Sequence, residues 1–100
     1  MKRVLVVDDD AAIRTIVTAF LERAGYWVRA VSTVKEALAT DGPWDLLLLD
    51  RRLPNGDGLR VAQRWPDVPR VTSSGYEPCD LPKPFTGSQL LAALTERIGA

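Results

Sequence analysis

The sequence predicts an open α/β domain in which helices cover both faces of a parallel sheet. Residues 4–7 and 46–49 are apolar runs without polar alternation, which is typical of short strands buried on both faces. Each run ends directly in a carboxylate, and helical patterns lie between the strands. Strands that alternate with helices favour βαβ units and therefore a doubly wound, parallel sheet.

The composition is that of one ordinary soluble domain, which we expect to span residues 1–100. The chain is 46% apolar and 26% charged, and its 13 basic and 13 acidic residues cancel. No basic surface for nucleic acid or a membrane is therefore predicted. One cysteine and no histidine exclude an internal disulfide, a Ser/His/Asp triad, a histidine-ligated metal and self-phosphorylation on histidine. The first apolar run is too short for a signal peptide or a membrane span, so we expect a cytoplasmic location.

The first half of the chain predicts two strands and two helices. After the strand at 4–7, apolar residues at spacings of three and four form one helical stripe. Asp10 is a good N-cap for this helix, and Gly25 is placed to end it. Residues 27–31 alternate and predict a half-exposed strand, and Thr33 begins a capping-box pattern that opens a short helix.

The second half continues the alternation. The strand at 46–49 is followed by a short helix over about 59–65 and a fourth strand at 68–73. Leu81 is the centre of a minimal fifth strand. A second capping-box spacing at Thr86 opens the last helix.

Carboxylates follow two strands that are neighbours in the flavodoxin-like order 2-1-3-4-5, which we expect for this five-stranded sheet. Asp8 and Asp9 follow the first strand, and Asp50 follows the third. Ligands bind at the carboxyl ends of parallel strands, and carboxylates that lie close together repel one another unless a cation sits among them. A few oxygen ligands with room for water and phosphate favour Mg²⁺ over a closed Ca²⁺ cage. Alone, either group is usually a helix cap or a turn, but together they predict a metal site.

Two further strand ends reach the same edge. Residues 72–74 end the fourth strand in hydroxyls, and Lys83 follows the fifth strand between two prolines. The prolines fix the backbone around Lys83, so the direction of its side chain is imposed. A serine at a strand end is more often a turn residue, and a lysine is more often a solvated charge.

These motifs resemble the receiver domain of two-component response regulators over essentially the whole chain. The residues that carry the resemblance are, in order, Asp8, Asp9, Asp50, Leu53, Pro54, Gly58, Ser74, Gly75, Lys83, Pro84 and Phe85. The resemblance implies a Mg²⁺-dependent phosphoprotein that receives its phosphoryl group from a histidine kinase or a histidine phosphotransfer protein. Such a protein is not a conventional enzyme, since it catalyses its own aspartyl phosphorylation and dephosphorylation.

The resemblance also implies a role for each site residue. Asp50 would be the phosphoacceptor, and Lys83 would pair with the phosphoryl oxygens. The Ser74 hydroxyl would turn toward the phosphate and report phosphorylation to the surface. The Mg²⁺ ligands would be oxygens of Asp9, Asp50, the backbone carbonyl of Arg52 and, through water, Asp8.

The chain departs from the family between Ser74 and Lys83, where a typical member has a full helix and a strand. Only eight residues lie there, and Pro78 would break a helix, so we predict that the fourth helix is missing and that an extended loop replaces it. Asp80 stands where the family usually has an aromatic residue, and Tyr76 is a candidate to substitute for it.

The missing helix would leave one face of the sheet thinly covered. We expect an exposed apolar patch near Val71, Leu81 and the last helix, buried by a homodimer or by a partner protein.

The leading interpretation is a stand-alone receiver that acts as a relay, a connector or a phosphate sink. A receiver excised from a hybrid kinase and an engineered minimal receiver are alternatives, and so is a degenerate receiver that binds partners without phosphorylation. A phosphatase with an aspartyl nucleophile would need an acid two residues later, where this chain has Arg52. A flavin-binding module would need a hydroxyl-rich phosphate loop at residues 8–10, which are all aspartates.

Overall fold

Five parallel strands form one sheet in the order β2-β1-β3-β4-β5 in a computed structural model, which describes residues 1–54, 56–75 and 78–99. The strands are β1 (Arg3–Val7), β2 (Trp27–Val31), β3 (Leu46–Asp50), β4 (Arg70–Ser74) and β5 (Leu81–Pro82). The helices are α1 (Ala11–Arg23), α2 (Val34–Leu38), α3 (Leu59–Ala62) and α4 (Gly87–Ile98). The flavodoxin-like order predicted from the sequence is confirmed.

The connection between β4 and β5 contains no helix among its described residues, 75 and 78–80. The next helix in the described part of the chain, α4, begins only after β5. The family's fourth helix would lie between β4 and β5, so the prediction that it is missing is confirmed. Tyr76, the candidate substitute for the missing aromatic residue, lies outside the described residues.

The helix starts follow the caps that the sequence predicts. The carboxylate of Asp10 accepts hydrogen bonds from two backbone N–H groups in the first turn of α1. The Thr33 hydroxyl accepts from the N–H of Glu36 at the start of α2. Thr86 and Gln89 form a reciprocal capping box at the start of α4. These side chains fix where each helix begins, and therefore how each strand end leads into its loop.

Helix α3 ends at Ala62, three residues before the predicted end. Beyond it, the N–H groups of Gln63, Arg64 and Trp65 each donate to the carbonyl three residues earlier, so the chain continues as tighter turns. These turns keep Trp65 packed against the apolar core.

Alternate strand residues supply two apolar layers, one on each face of the sheet. Leu47 and Leu49 face α2 and α3, whereas Leu46 and Leu48 face α1 and α4. All five residues of β3 are buried, as expected for the central strand of a parallel sheet. The face of each strand residue therefore follows from its position, which decides which side chains can meet at the strand ends.

The expected apolar patch is not formed by Val71 and Leu81, because both are buried in the layer beneath α4. Strand alternation places Thr72 on the opposite face, where its N–H and hydroxyl both lie within hydrogen-bond distance of the Asp80 carboxylate, at 3.0 and 3.1 Å. Arg97 of α4 pairs with the other carboxylate oxygen of Asp80 at 2.9 Å. Thr72, Asp80 and Arg97 therefore form a polar cluster where β4, the segment before β5 and α4 meet.

Among the described residues, no helix has the length and the apolar character needed to cross a membrane.

Candidate functional site

The carboxyl ends of β1, β3 and β5 bring three of the predicted site residues together. The Lys83 ammonium lies between two carboxylates, with Nζ 2.8 Å from Asp8 Oδ2 and 3.2 Å from Asp50 Oδ2. The backbone N–H of Lys83 donates to the carbonyl of Ser74 at 2.9 Å and extends the pairing of β5 with β4. The sheet itself therefore aims this lysine at the carboxylates, as the flanking prolines predict.

Three carboxylates form the predicted acidic cluster. Oxygens of Asp8, Asp9 and Asp50 all lie within 4.8 Å of one another; Asp8 and Asp50 are buried, and Asp9 is exposed. Asp8 Oδ1 accepts from the N–H of Asp10, and Asp50 Oδ1 accepts from the N–H of Arg52, both at 2.9 Å. Hard oxygen donors this close together, one of them open to solvent, fit a small divalent cation that keeps some of its water.

The electrostatics of the site disfavour the charge on Asp50. Burial raises the pKa of Asp50, the hydrogen bond from Arg52 lowers it, and the Asp8 charge raises it, so the net pKa lies above its usual value. Burial lowers the pKa of Lys83, but the hydrogen bond and charge of Asp8 and the charge of Asp50 outweigh burial and raise it. Lys83 is therefore held as a cation beside a carboxylate whose charge is incompletely balanced, and a second cation is favoured there.

The register of β3 and β4 pairs Asp50 with Ser73. Asp50 pairs with Ser73 across the two parallel strands, so the two side chains share the face that also carries Leu48 and Val71. Ser73 is 3% exposed, and its hydroxyl has no hydrogen-bond partner among the described residues. Ser74 follows on the opposite face, so its predicted role stays a prediction.

The sequence predicts hydroxyls at this strand end but does not single out Ser73. Residues 72–74 all carry hydroxyls, and nothing local decides which hydroxyl faces the acidic cluster. An unpartnered, buried hydroxyl is costly unless a ligand or water satisfies it, which makes Ser73 a candidate for contact with a bound group.

Sequence reasoning also missed Arg51. Its guanidinium binds both carboxylate oxygens of Asp57 and the backbone carbonyl of Pro78. No local pattern signals these contacts, because Pro78 is distant in the chain.

Residues 4–77 match the family described as response regulator receiver domain. The chain belongs to this family. Receiver domains take a phosphoryl group from histidine kinases or phosphotransfer proteins onto an aspartate, and they bind Mg²⁺ at an acidic pocket.

The chain is similar to one segment of known transcriptional regulators and to receiver domains of known structure. It is 48% identical over 66 residues to the DNA-binding dual master transcriptional regulator RpaA of Synechocystis. The alignment covers 64% of this chain and 27% of that protein. It is similar to the non-phosphorylated HemR receiver domain of Leptospira biflexa, with 27% identity and a TM-score of 0.88 over 100% of this chain and 96% of that one. The chain spans about a quarter of the length of curated relatives such as RpaA.

A second solved structure is relevant to the acidic pocket. The response regulator TrrA of Thermotoga maritima was crystallised in complex with Mg²⁺ and BeF. This receiver is 32% identical to TrrA, with a TM-score of 0.70 over 77% of this chain and 72% of that one.

An apolar groove of about 310 Å³ lies beside the site of this receiver. Its walls come from the first half of α1 and from the segment after β5, namely Ile13, Ile16, Val17, Lys83, Pro84 and Phe85. Ile16 is 67% exposed, which is unusual for a large aliphatic side chain.

Proposed function

We propose that this receiver is a cytoplasmic phosphorylation switch that accepts a phosphoryl group on Asp50 from a phosphohistidine donor. The observation that carries the proposal is the position of Lys83, which holds the buried carboxylates of Asp8 and Asp50 within 2.8 and 3.2 Å of one ammonium. Such an arrangement of a nucleophilic carboxylate, a second carboxylate and a fixed cation suits the transfer of an anionic group.

In the proposed transfer, an Asp50 carboxylate oxygen attacks the phosphorus of the donor. The P–N bond to the donor imidazole breaks, its electron pair stays on the imidazole nitrogen, and a P–O bond to Asp50 forms. The N–H of Arg52 holds Asp50 Oδ1, and Lys83 attracts the phosphoryl oxygens on the other side. The same residues would orient water for the later hydrolysis, so the chain catalyses both steps on itself.

The oxygens proposed to hold Mg²⁺ come from Asp9, Asp50, the backbone carbonyl of Arg52 and, through water, Asp8. When bound, Mg²⁺ supplies positive charge that offsets the charge of the phosphoryl oxygens. Mutual distances within 4.8 Å for the three carboxylates support this set.

A phosphohistidine donor is supported by the groove formed by Ile13, Ile16, Val17, Pro84 and Phe85, which adjoins Lys83. A donor helix that buries Ile16 there would bring its histidine to the edge of the sheet that carries Asp50. The proposed partners are therefore a histidine kinase or a histidine phosphotransfer protein.

The receiver is proposed to act as a relay, connector or phosphate sink. A homodimer through the face near Val71 and Leu81 stays a prediction. Exposed apolar side chains do not support it, because both residues are buried.

Intact mass spectrometry after incubation with acetyl phosphate and MgCl₂ tests the proposal. We expect a gain of one phosphoryl group in the wild type, and no gain without Mg²⁺ or in Asp50→Asn. Asp41→Asn, a change at an exposed aspartate elsewhere in the chain, should leave the gain intact. Binding of Mg²⁺ without a gain, from acetyl phosphate and from phosphorylated histidine kinases alike, would favour the degenerate receiver that acts as an interaction module.

The register also predicts which serine contacts the transferred group. We expect Ser73→Ala to reduce the initial rate of phosphoryl incorporation about tenfold, because a hydrogen bond to a charged group contributes roughly 1.5–3 kcal/mol. Ser74→Ala is measured alongside it, because the sequence predicts this role for Ser74, which follows on the opposite face of β4. Mass spectrometry over time measures both rates. A larger loss in Ser74→Ala than in Ser73→Ala would return the role to Ser74.

A further inference from the structure

We propose that Arg51 is a positioning residue that holds the two supports of the Asp50 carboxylate in register. The inference rests on the proposed function, because it concerns the geometry of the acceptor site. Arg51 follows Asp50 directly, and its backbone N–H donates to the carbonyl of Ser73 at 2.9 Å, which continues the pairing of β3 with β4. Its side chain then joins two segments that are distant in the chain.

The first segment is the loop between β3 and α3. The Arg51 Nε lies 3.2 and 3.1 Å from Asp57 Oδ1 and Oδ2, and Nη2 lies 2.9 Å from Oδ2. Asp57 Oδ1 also accepts from the N–H of Leu59 in the first turn of α3. Burial raises the pKa of Asp57, but the Arg51 and Leu59 hydrogen bonds and the Arg51 charge outweigh burial and lower it, so Asp57 stays ionised.

The second segment is the connection between β4 and β5. Arg51 Nη1 donates to the carbonyl of Pro78 at 3.0 Å, and the chain runs from Pro78 through β5 to Lys83. The described residues of this connection form no helix, and the bond from Arg51 is one of the contacts that hold it in place. Arg97 provides another such contact at the far end, through its ion pair with Asp80.

The two segments support opposite oxygens of the same carboxylate. The β3–α3 loop carries the N–H of Arg52, which binds Asp50 Oδ1, and the β4–β5 connection leads to Lys83, which binds Asp50 Oδ2. Arg51 is bonded to both segments at once. It therefore fixes the orientation of the Asp50 carboxylate, and that of the neighbouring Arg52 carbonyl, without contacting the phosphoryl group.

The chemistry of the guanidinium explains why arginine suits this position. A planar guanidinium presents five N–H donors in a fixed fork, so it binds both oxygens of a carboxylate and still directs a donor elsewhere. A lysine ammonium is a single point charge and does not span Asp57 and Pro78 in the same way.

Calorimetric titration of the protein with MgCl₂ tests the inference directly. We expect Arg51→Met to weaken Mg²⁺ binding about tenfold, the low end of the effect seen when residues that orient metal ligands are changed. Arg97→Met is a matched control, because it also removes an arginine from a 2.9 Å ion pair. The side chains of Arg97 and Asp80 are 30% and 36% exposed, and those of Arg51 and Asp57 are 25% and 39% exposed. It should leave the Mg²⁺ affinity within about twofold of the wild type. Asp57→Asn keeps the shape of the partner and should follow Arg51→Met.

Hydrogen exchange of the metal-free proteins gives a second readout. Arg51→Met should accelerate exchange in both residues 51–58 and 78–80, whereas Arg97→Met should accelerate it only in the second segment. Equal losses of Mg²⁺ affinity in the two variants, or a titration of Arg51→Met that superimposes on the wild type, would overturn the inference. Full recovery of affinity in Arg51→Lys would also overturn it, because charge alone would then suffice.

Intact mass separates the inference from the proposed function. A wild type that binds Mg²⁺ but gains no phosphoryl group contradicts the proposed transfer, while the affinities still decide the role of Arg51. A wild type that binds no Mg²⁺ overturns both.

Discussion

Lys83→Met is expected to lower the free energy of unfolding by about 3 kcal/mol at neutral pH, the low end of the cost of removing one partner from a buried ion pair. Asp8 and Asp50 are 4% and 5% exposed, and the Lys83 ammonium lies within 3.2 Å of both. Methionine keeps much of the side-chain length but leaves two buried carboxylates facing each other without a cation. Urea denaturation measures the loss, and the same variant should incorporate phosphoryl groups at least about tenfold more slowly, since an oriented charge at the reacting group is lost.

Two further variants isolate the electrostatic cause. Lys2→Met removes an exposed lysine and should change the free energy of unfolding by less than about 0.5 kcal/mol. In the Asp50→Asn background, Lys83→Met should cost less than in the wild type, because only Asp8 then lacks its partner. Equal costs in the two backgrounds would contradict the interaction between Lys83 and Asp50.

Gly58→Ala is expected to destabilise the protein by about 3 kcal/mol, the upper end for adding a methyl group to a packed site. A Cβ at Gly58 would overlap the backbone carbonyl oxygen of Asp50 and would lie 3.1 Å from its carbonyl carbon and 3.4 Å from Leu49 Cβ. The β3 backbone is buried in the centre of the sheet and has little freedom to move away. The strain therefore falls on Asp50, the proposed phosphoacceptor, so the variant should also accept phosphoryl groups more slowly.

Gly75→Ala is the matched control for this substitution. A Cβ at Gly75 meets no described atom within 4 Å, and the residue is exposed. Its unfolding midpoint in urea should stay the same or rise slightly, because alanine reduces the entropy of the unfolded chain. A Gly58→Ala midpoint that matched that of Gly75→Ala would show that the β3–α3 loop adapts to the extra methyl group.

Much of the fold could be predicted because its signals are local. Buried strands read as continuous apolar runs, and Asp10, Thr33 and Thr86 mark helix starts through hydrogen bonds that span only two or three residues. Pro78 and the short connection predicted the missing helix in the same way.

The covering of the sheet could not be predicted from such signals. We expected an apolar patch near Val71 and Leu81 because no helix was predicted between β4 and β5 to cover those side chains. Strand alternation instead turns both toward α4, and Asp80 satisfies Thr72 on the other face. Which face a residue occupies depends on the whole sheet and on the helices packed against it.

The sequence by itself determined which chemical groups stand at the strand ends: carboxylates after β1 and at the end of β3, hydroxyls at the end of β4 and a lysine after β5. Only the tertiary structure decided that Ser73 is the strand partner of Asp50, and that Arg51 joins Asp57 to Pro78. The physical reason is the range of the interactions involved. Caps and strand runs arise between near neighbours, whereas the register of two strands and the reach of a guanidinium across a loop depend on how distant segments pack.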